Sequence, residues 1–349
     1  MTTRAAATLR PASTADDVRL DPSVDIEAEV PQMWRVADTV RRVDGEIDRN
    51  TLDAMLAFYR NLDHCDPATD LVLARRGDAI VGYARVEWND SNDGERWYEA
   101  ACFVHPDERR RGLGRRLLDW TEARRLELAA GHRAAGAADR RATWFTTFAY
   151  DGDAGASALL RLTGYEPFRH FYSMQRPDLL DIPDLPLPAG LDIRPIPNEP
   201  DAIRALIAAD NEAFQDHFGS VDDVETVYRQ VVEDPDTDVG LWVVAFDGDE
   251  IAGAVLNGIR PDHEGVRVGW CDSVFTRRPW RQRGLARALI ARSLELLRDR
   301  GVASVSLGVD ATNPNQALHL YESCGFRVVS SSTAYRKPVP RESLEEVRR

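Results

Sequence analysis

The 349-residue chain is nearly devoid of lysine: of its 44 basic residues only Lys337 is one, and the rest are arginines. A basic cluster is therefore weak evidence of function here, because arginine is the default cation. Cysteine is scarce as well. Cys65, Cys102, Cys271 and Cys324 stand apart without C-x-x-C spacing, which argues against a zinc framework and for reduced thiols in a cytoplasmic protein. Nor do the 7 histidines show ligand spacing, so metal catalysis has no support. No apolar run approaches the roughly eighteen residues of a membrane span, and Met1 to Arg19 lacks an apolar signal core. Neither export nor a membrane partner is expected. Acidic residues outnumber basic ones, 58 to 44, and the net charge of −14 disfavours nucleic acid while favouring a cationic substrate such as an amine.

What is present is enough apolar residue, 43%, for substantial cores, and a length that favours two domains. The stretch that organises the chain runs from Val274 to Leu289: an apolar strand, a basic turn and a helix. Gly284 and the small Ala286 let the backbone curve tightly at the helix start, where the first N–H groups lack intrahelical partners. Such a turn can cradle a phosphate or pyrophosphate. The pattern occurs twice. Arg109-Arg110-Arg111-Gly112-Leu113-Gly114 again follows an apolar run and precedes a helical one, and Arg109 and Arg281 are 172 residues apart. A period of that length indicates two copies of a whole domain rather than a solenoid unit. Farther on, Tyr321-Glu322-Ser323-Cys324-Gly325-Phe326 is echoed by Leu160-Arg161-Leu162-Thr163-Gly164-Tyr165. Neither loop has the G-x-G-x-x-G or G-K-S/T arrangement of nucleotide-binding folds.

Periodicity places the elements in one order in both halves. Strands are expected at Ala7 to Ala12, Asp70 to Arg75, Ala79 to Trp88, Trp97 to Val104, Ala142 to Ala149 and Pro167 to Gln175, with helices over Ile26 to Arg42, Thr51 to Leu62, Leu113 to Ala130 and Ala154 to Leu162. The Ala/Gly-rich stretch Ala129 to Asp139 reads as a surface loop. In the second half strands are expected at Leu191 to Ile196, Leu241 to Asp247, Glu250 to Ile259, Arg267 to Thr276, Val302 to Val309 and Phe326 to Tyr335. Its helices are Glu199 to Phe214, Val221 to Glu233, Leu285 to Arg300 and Pro314 to Cys324. The expected division is 1–176, a proline-rich linker 177–189, 190–338, and a tail 339–349.

Arg281-x-x-Gly284-x-Ala286 directly behind a strand resembles the acyl-CoA signature (Q/R-x-x-G-x-G/A) of the GNAT N-acetyltransferase superfamily. The resemblance implies an α/β (α+β) fold class: two tandem GNAT folds, each a mixed, mainly antiparallel sheet flanked by helices. It implies acetyl-CoA as cofactor and a small-molecule or peptide amine as acceptor. Pantetheine would lie along Val274, Phe275 and Thr276, and the pyrophosphate on the amides of Arg281, Gln282, Arg283, Gly284, Leu285, Ala286 and Arg287. Asn313 matches the family's asparagine near pantetheine, one residue farther from the tyrosine than the commoner spacing. Tyr321 matches the tyrosine that often serves as general acid; otherwise it is a core tyrosine of an amphipathic helix. Asp272, on the strand feeding the loop, is the candidate base, or else a solvent-facing carboxylate. His217, His263 and His319 are rivals without a distinguishing pattern.

The first half departs from the family pattern where the chemistry needs it. Leu160 stands at the tyrosine position and cannot carry a proton. The cradle of Phe103, Val104, Arg109, Arg110, Arg111, Gly112, Leu113, Gly114 and Arg115 persists. A half that holds acyl-CoA without turning it over is the expectation, with catalysis in the second half. The competing reading from another class is an acyl-CoA-binding sensor without turnover. A monomer or homodimer is expected.

Overall fold

The computed structural model describes residues 17–48, 50–136, 141–215, 219, 223–312 and 317–340. The expected strand at Ala7 to Ala12, the site candidates Asn313 and His217, and the tail beyond 340 lie outside the described residues.

The N-terminal half runs β1 (Arg19–Pro22), α1 (Ile26–Val43), α2 (Leu52–Arg60), the single turn α3 (Pro67–Asp70), β2 (Leu71–Arg76), β3 (Ala79–Asp90), β4 (Arg96–Val104), α4 (Leu113–Ala135), β5 (Thr143–Tyr150), α5 (Ala154–Leu162) and β6 (Glu166–Arg176). The C-terminal half repeats the order with β7 (Leu191–Arg194), α6 (Pro200–Phe214), α7 (Val224–Glu233), β8 (Val243–Asp247), β9 (Glu250–Pro261), β10 (Arg267–Thr276), α8 (Leu285–Asp299), β11 (Val305–Asp310), α9 (Ala317–Ser323) and β12 (Arg327–Pro338). Side-chain caps explain several starts: Asp25 accepts from the Ala28 N–H, Thr51 from Ala54, and Asp223 from Glu225 and Thr226.

Two local readings need correction. Residues 19–22 form a strand where periodicity places no element; Val18 is buried beside it and β1 pairs with β2. The alanine-rich stretch is not a loop as far as Ala135: it prolongs α4 to 23 residues against 15 in α8. Alanine is the strongest helix former, and it overrides the single Gly131.

All twelve strands form one sheet in the order β1-β2-β3-β4-β5-β12-β6-β11-β10-β9-β8-β7. Read from either end, the order is the same succession of equivalent strands, except that the last strand of each half has crossed over. β12 inserts between β5 and β6, and β6 between β12 and β11, so each half completes the other's sheet. The contact is two-fold in character, as in an isologous dimer, but it lies within one chain. Each half contains one parallel ladder, β4 with β5 and β10 with β11; every other ladder is antiparallel. The proline-rich joint carries no helix or strand, yet it is no loose tether. Leu179 is buried, Ile182 and Leu187 pack on the C-terminal core, and the Arg176 guanidinium holds the Asp178, Asp181 and Cys324 carbonyls.

A fragment spanning residues 1–181 leaves β5 without β12 and β6 without β11, and exposed strand edges associate. It is expected to self-associate or precipitate by size-exclusion chromatography with light scattering, whereas co-expression with 182–349 should give a soluble one-to-one complex.

Candidate active site

β10 pairs with β11 only at Gly269 with Val305 and Trp270 with Ser306; beyond that point the strands part. The opposite edge of β10 stays paired with β9 to its end, with a bulge that leaves Asp272 as an extra residue between Cys271 and Ser273. The result is a cleft of about 770 Å³ bounded by β10, β11, α9 and the start of α8. Val274, Phe275, Thr276, Arg281, Gln282, Gly284, Leu285, Ala286, Arg287 and Tyr321 all line it. Arg283 lies beside them on the exposed turn.

The turn has a defined backbone. Gln282 and Gly284 are left-handed, with φ of 60° and 85°, and the first motif repeats this at Arg110 and Gly112, with φ of 64° and 89°. A glycine at the second left-handed position avoids the Cβ clash that conformation imposes. In both halves it is the N-cap of the following helix and supplies no side chain, so the first-turn amides are left for a ligand.

Arg281 donates from Nε to the Thr276 carbonyl at 3.0 Å and from Nη2 to the Ala213 carbonyl at 2.8 Å, so it braces the turn on β10 and α6. Thr276 Oγ1 is buried in this cleft with no hydrogen-bond partner among the described residues. In the first turn Arg109 is held by both oxygens of the buried Asp44, at 2.6 and 2.8 Å, Arg111 by Glu108 at 3.2 Å, and Arg115 by Asp119 at 2.7 Å. Its positive charge is largely neutralised internally. The N-terminal cleft, about 370 Å³, is correspondingly smaller and lined by Phe103, Val104, Gly112, Gly114, Phe148 and Tyr150 among others; Leu113 is buried beneath it. Beside it, a Cβ on Gly152 would lie 2.1 Å from the Asp44 carbonyl, so the loop after β5 rests directly on the end of α1.

Tyr321 is buried at the end of α9, and the Phe326 N–H closes the helix on its carbonyl, as Tyr165 does on Leu160. The two positions are thus equivalent in structure. Burial pushes the Tyr321 phenol well above its ordinary value, with Cys271 and Cys324 close by, so it keeps its proton. Its hydroxyl makes no hydrogen bond among the described residues. Asp272 is half exposed and ion-paired with Arg260, which lies over the Trp270 ring. The rival histidines are placed elsewhere: His263 Nε2 lies 3.1 Å from the Glu46 carbonyl, joining the halves, and His319 faces solvent beside Glu322. Burial raises all four cysteine thiols, Cys65 to about 12 and Cys102 to about 11. None is poised as a nucleophile.

Two features were missed in the sequence. A cavity of about 320 Å³ lies between α2 of the first half and α7 and β9 of the second, lined by Asn50, Phe58, Asp234, Asp236, Arg260 and Asp272 among others. Asp272 therefore borders both spaces. Asp210 on α6 accepts from Ser273 Oγ at 2.6 Å. A signal existed: Asp210 occupies the helix stripe otherwise made of Ile203, Leu206, Ile207 and Ala213, where an apolar residue belongs. Among the described residues no group of side chains could hold a metal, and no helix is long and apolar enough to cross a membrane.

Comparison with known proteins is consistent with this geometry. The model of the Acetyltransferase (GNAT) family matches residues 39–143 and 203–326. A mycothiol acetyltransferase of Thermomonospora curvata is 30% identical over 77% of this chain and 82% of its own. The crystal structure of a GCN5-related N-acetyltransferase from Sphaerobacter thermophilus superposes with a TM-score of 0.68 at 26% identity, covering 94% of this chain and 97% of that one. A tandem GNAT protein from the clavulanic acid biosynthesis pathway shares the fold, with a TM-score of 0.64 at 20% identity over 93% of this chain and 99% of that one.

Asp44→Ala removes one partner of the Arg109 ion pair and leaves a part-buried cation. The expected cost is about 2–3 kcal/mol in urea unfolding, somewhat below that of a fully buried pair. An unchanged midpoint would show that Asp153, 3.5 Å from Arg109, or solvent already satisfies the cation.

Proposed function

The chain belongs to the GNAT acetyltransferase family, and from that premise we propose that it moves an acetyl group from acetyl-CoA to a primary amine of a small molecule or peptide, in the C-terminal half. The observation that carries the reading is the open edge of β10, which ends in a turn with unsatisfied helix-start amides and shares one cleft with Tyr321. The residues suit the cofactor. An extended amide chain such as pantetheine can use the β10 edge at Val274 and Phe275 up to Thr276, whose hydroxyl lacks a partner. A diphosphate suits the amides from Gln282 to Arg287. Acetyl-CoA supplies an activated thioester; the protein orients it and manages protons.

Tyr321, protonated throughout the neutral range, donates to the departing sulfur. The amine enters through the cavity between the halves, where Asp234, Asp236 and Asp272 favour an ammonium-bearing molecule. The N-terminal half thus forms a substrate wall through α2. Its own cleft has Leu160 in place of the acid and a self-neutralised turn, so acyl-CoA held there is not turned over. The tandem layout is similar to that of mycothiol synthase and the relatives are named mycothiol acetyltransferases, so the mycothiol-related amine is the first acceptor to assay.

Tyr321→Phe should lower kcat by roughly 10²- to 10⁴-fold in a thiol-release assay with acyl-CoA affinity unchanged; undiminished turnover would remove the proposed acid, and a sensor without turnover would release no thiol with any amine. By calorimetry, Gly284→Val should abolish the tighter acyl-CoA site and Gly112→Val only a weaker one. Equal loss from either substitution would contradict the assignment of chemistry to the second half.

A further inference from the structure

The proposed reaction needs a group that takes a proton from the attacking amine, and Asp272 is poorly disposed for it. Its carboxylate is committed to Arg260, and Arg260 also lies 3.8 Å from Asp48 of the first half. To take the amine's proton it would first have to give up that ion pair.

One residue farther on, the bulge changes what the strand presents. Phe275 packs in the cluster built by α6, and Ser273, two residues before it, lies on that same side and reaches Asp210. Ser273 also lines the cleft that holds Tyr321, next to Asp272, which lines the cavity between the halves as well. The hydroxyl donates to Asp210 Oδ1 at 2.6 Å, which turns its lone pairs away from the carboxylate and leaves them able to accept.

Resting on the proposed acetyl transfer, we infer that Ser273 receives the amine proton and hands its own to Asp210, forming a two-residue relay in the cleft that also holds Tyr321. The entering ammonium first loses one proton to solvent; in the balanced step the neutral amine nitrogen then bonds to the thioester carbon and the carbon–sulfur bond breaks. One proton passes from nitrogen to Ser273 Oγ while the serine proton passes to Asp210, and the Tyr321 proton goes to sulfur. Solvent then reprotonates the phenolate and deprotonates Asp210. Ser273 meets the reacting nitrogen; Asp210 is a positioning residue that acts through it.

The charge environment supports the assignment. Burial raises the Asp210 carboxyl to about 6 and the Ser273 hydrogen bond pulls it partly back. Charged groups on the elements packed around it are engaged elsewhere: Arg204 with Glu225 of α7, Glu212 with Arg277 beyond β10, and Asp272 with Arg260 of β9. Since only the ionised carboxylate can accept, activity should rise as pH passes up through about 6. The effect on stability has the opposite sign. The folded-state value lies above the unfolded one, so stability falls as pH rises from about 4 to about 6, and a neutral isostere should not destabilise the protein at pH 7.

The test uses the full chain with acetyl-CoA and a panel of primary amines comprising an aminosugar, an amino-acid amide and an aliphatic diamine. Asp210→Asn and Ser273→Ala should each lower kcat at least tenfold, abolish the rise near pH 6, and fail to add when combined. Asp210→Asn should melt no lower than wild type at pH 7, and Asp210→Glu should recover part of the rate. Asp272→Asn should retain the pH 6 limb. A limb that survives in Asp210→Asn, or one that vanishes in Asp272→Asn alone, overturns the relay while leaving acetyl transfer intact. A lowered melting temperature in Asp210→Asn with an unshifted pH profile also overturns it, as a purely structural role. Absence of thiol release by wild type with every amine overturns both readings.

Discussion

Two parallel strands that pair at Gly269 and Trp270 and then separate set the geometry of the C-terminal half. A strand edge stripped of its neighbour carries unmet backbone donors and acceptors, and a buried edge of that kind calls for a partner. Among the described residues β11 supplies none along residues 271–276, and the edge ends at a turn whose helix-start amides have no side-chain cap. The opening persists because its surroundings are pinned. Trp280 donates to Asp247 at 2.9 Å, Arg277 is bound to Glu212 at 2.6 Å, and Arg281 ties the turn to carbonyls of β10 and α6. Rigid supports of this sort let a cleft exist before its ligand arrives, which lowers the ordering cost of binding.

The two halves show how one backbone can be kept while its chemistry is changed. Both turns carry the same pair of left-handed residues, and both short helices after the fifth strand close through the same backbone hydrogen bonds. The differences lie in side chains. Carboxylates neutralise the first turn, Leu160 replaces the phenol, and the loop after β5 packs on the end of α1. Within the proposed function the first half matters for what it lends its partner: β6 completes the other sheet, and α2 forms one wall of the space beside Asp272. The exchange of terminal strands fixes that relation, because the seam between β12 and β6 holds the halves in one register. Glu46 adds to it by accepting from Ser173 on one exchanged strand and Ser330 on the other.

Much of this was legible in the residues. Hydrophobic period and turn chemistry gave the element order, since those signals are local. The repeated motif announced the duplication, and the glycine positions gave the turn, because a left-handed conformation narrows the choice of residue wherever it occurs. The misreadings were also local. Residues 19–22 are too short and polar to announce a strand and are ordered by pairing with β2, while alanine propensity outlasted the glycine in α4.

By itself, then, the sequence determined two copies of a mixed fold, each with a glycine-capped turn between strand and helix, and only one with a tyrosine behind it. Tertiary structure alone decided which strands complete which sheet, that Asp272 is bound to Arg260, and that Asp210 and Ser273 meet across 63 positions of chain. The reason is physical. Periodicity and turn propensity act between residues a few positions apart, whereas a strand exchange, an ion pair between neighbouring strands and a carboxylate lodged in a helix's apolar stripe acquire their energies only after distant segments have been packed together.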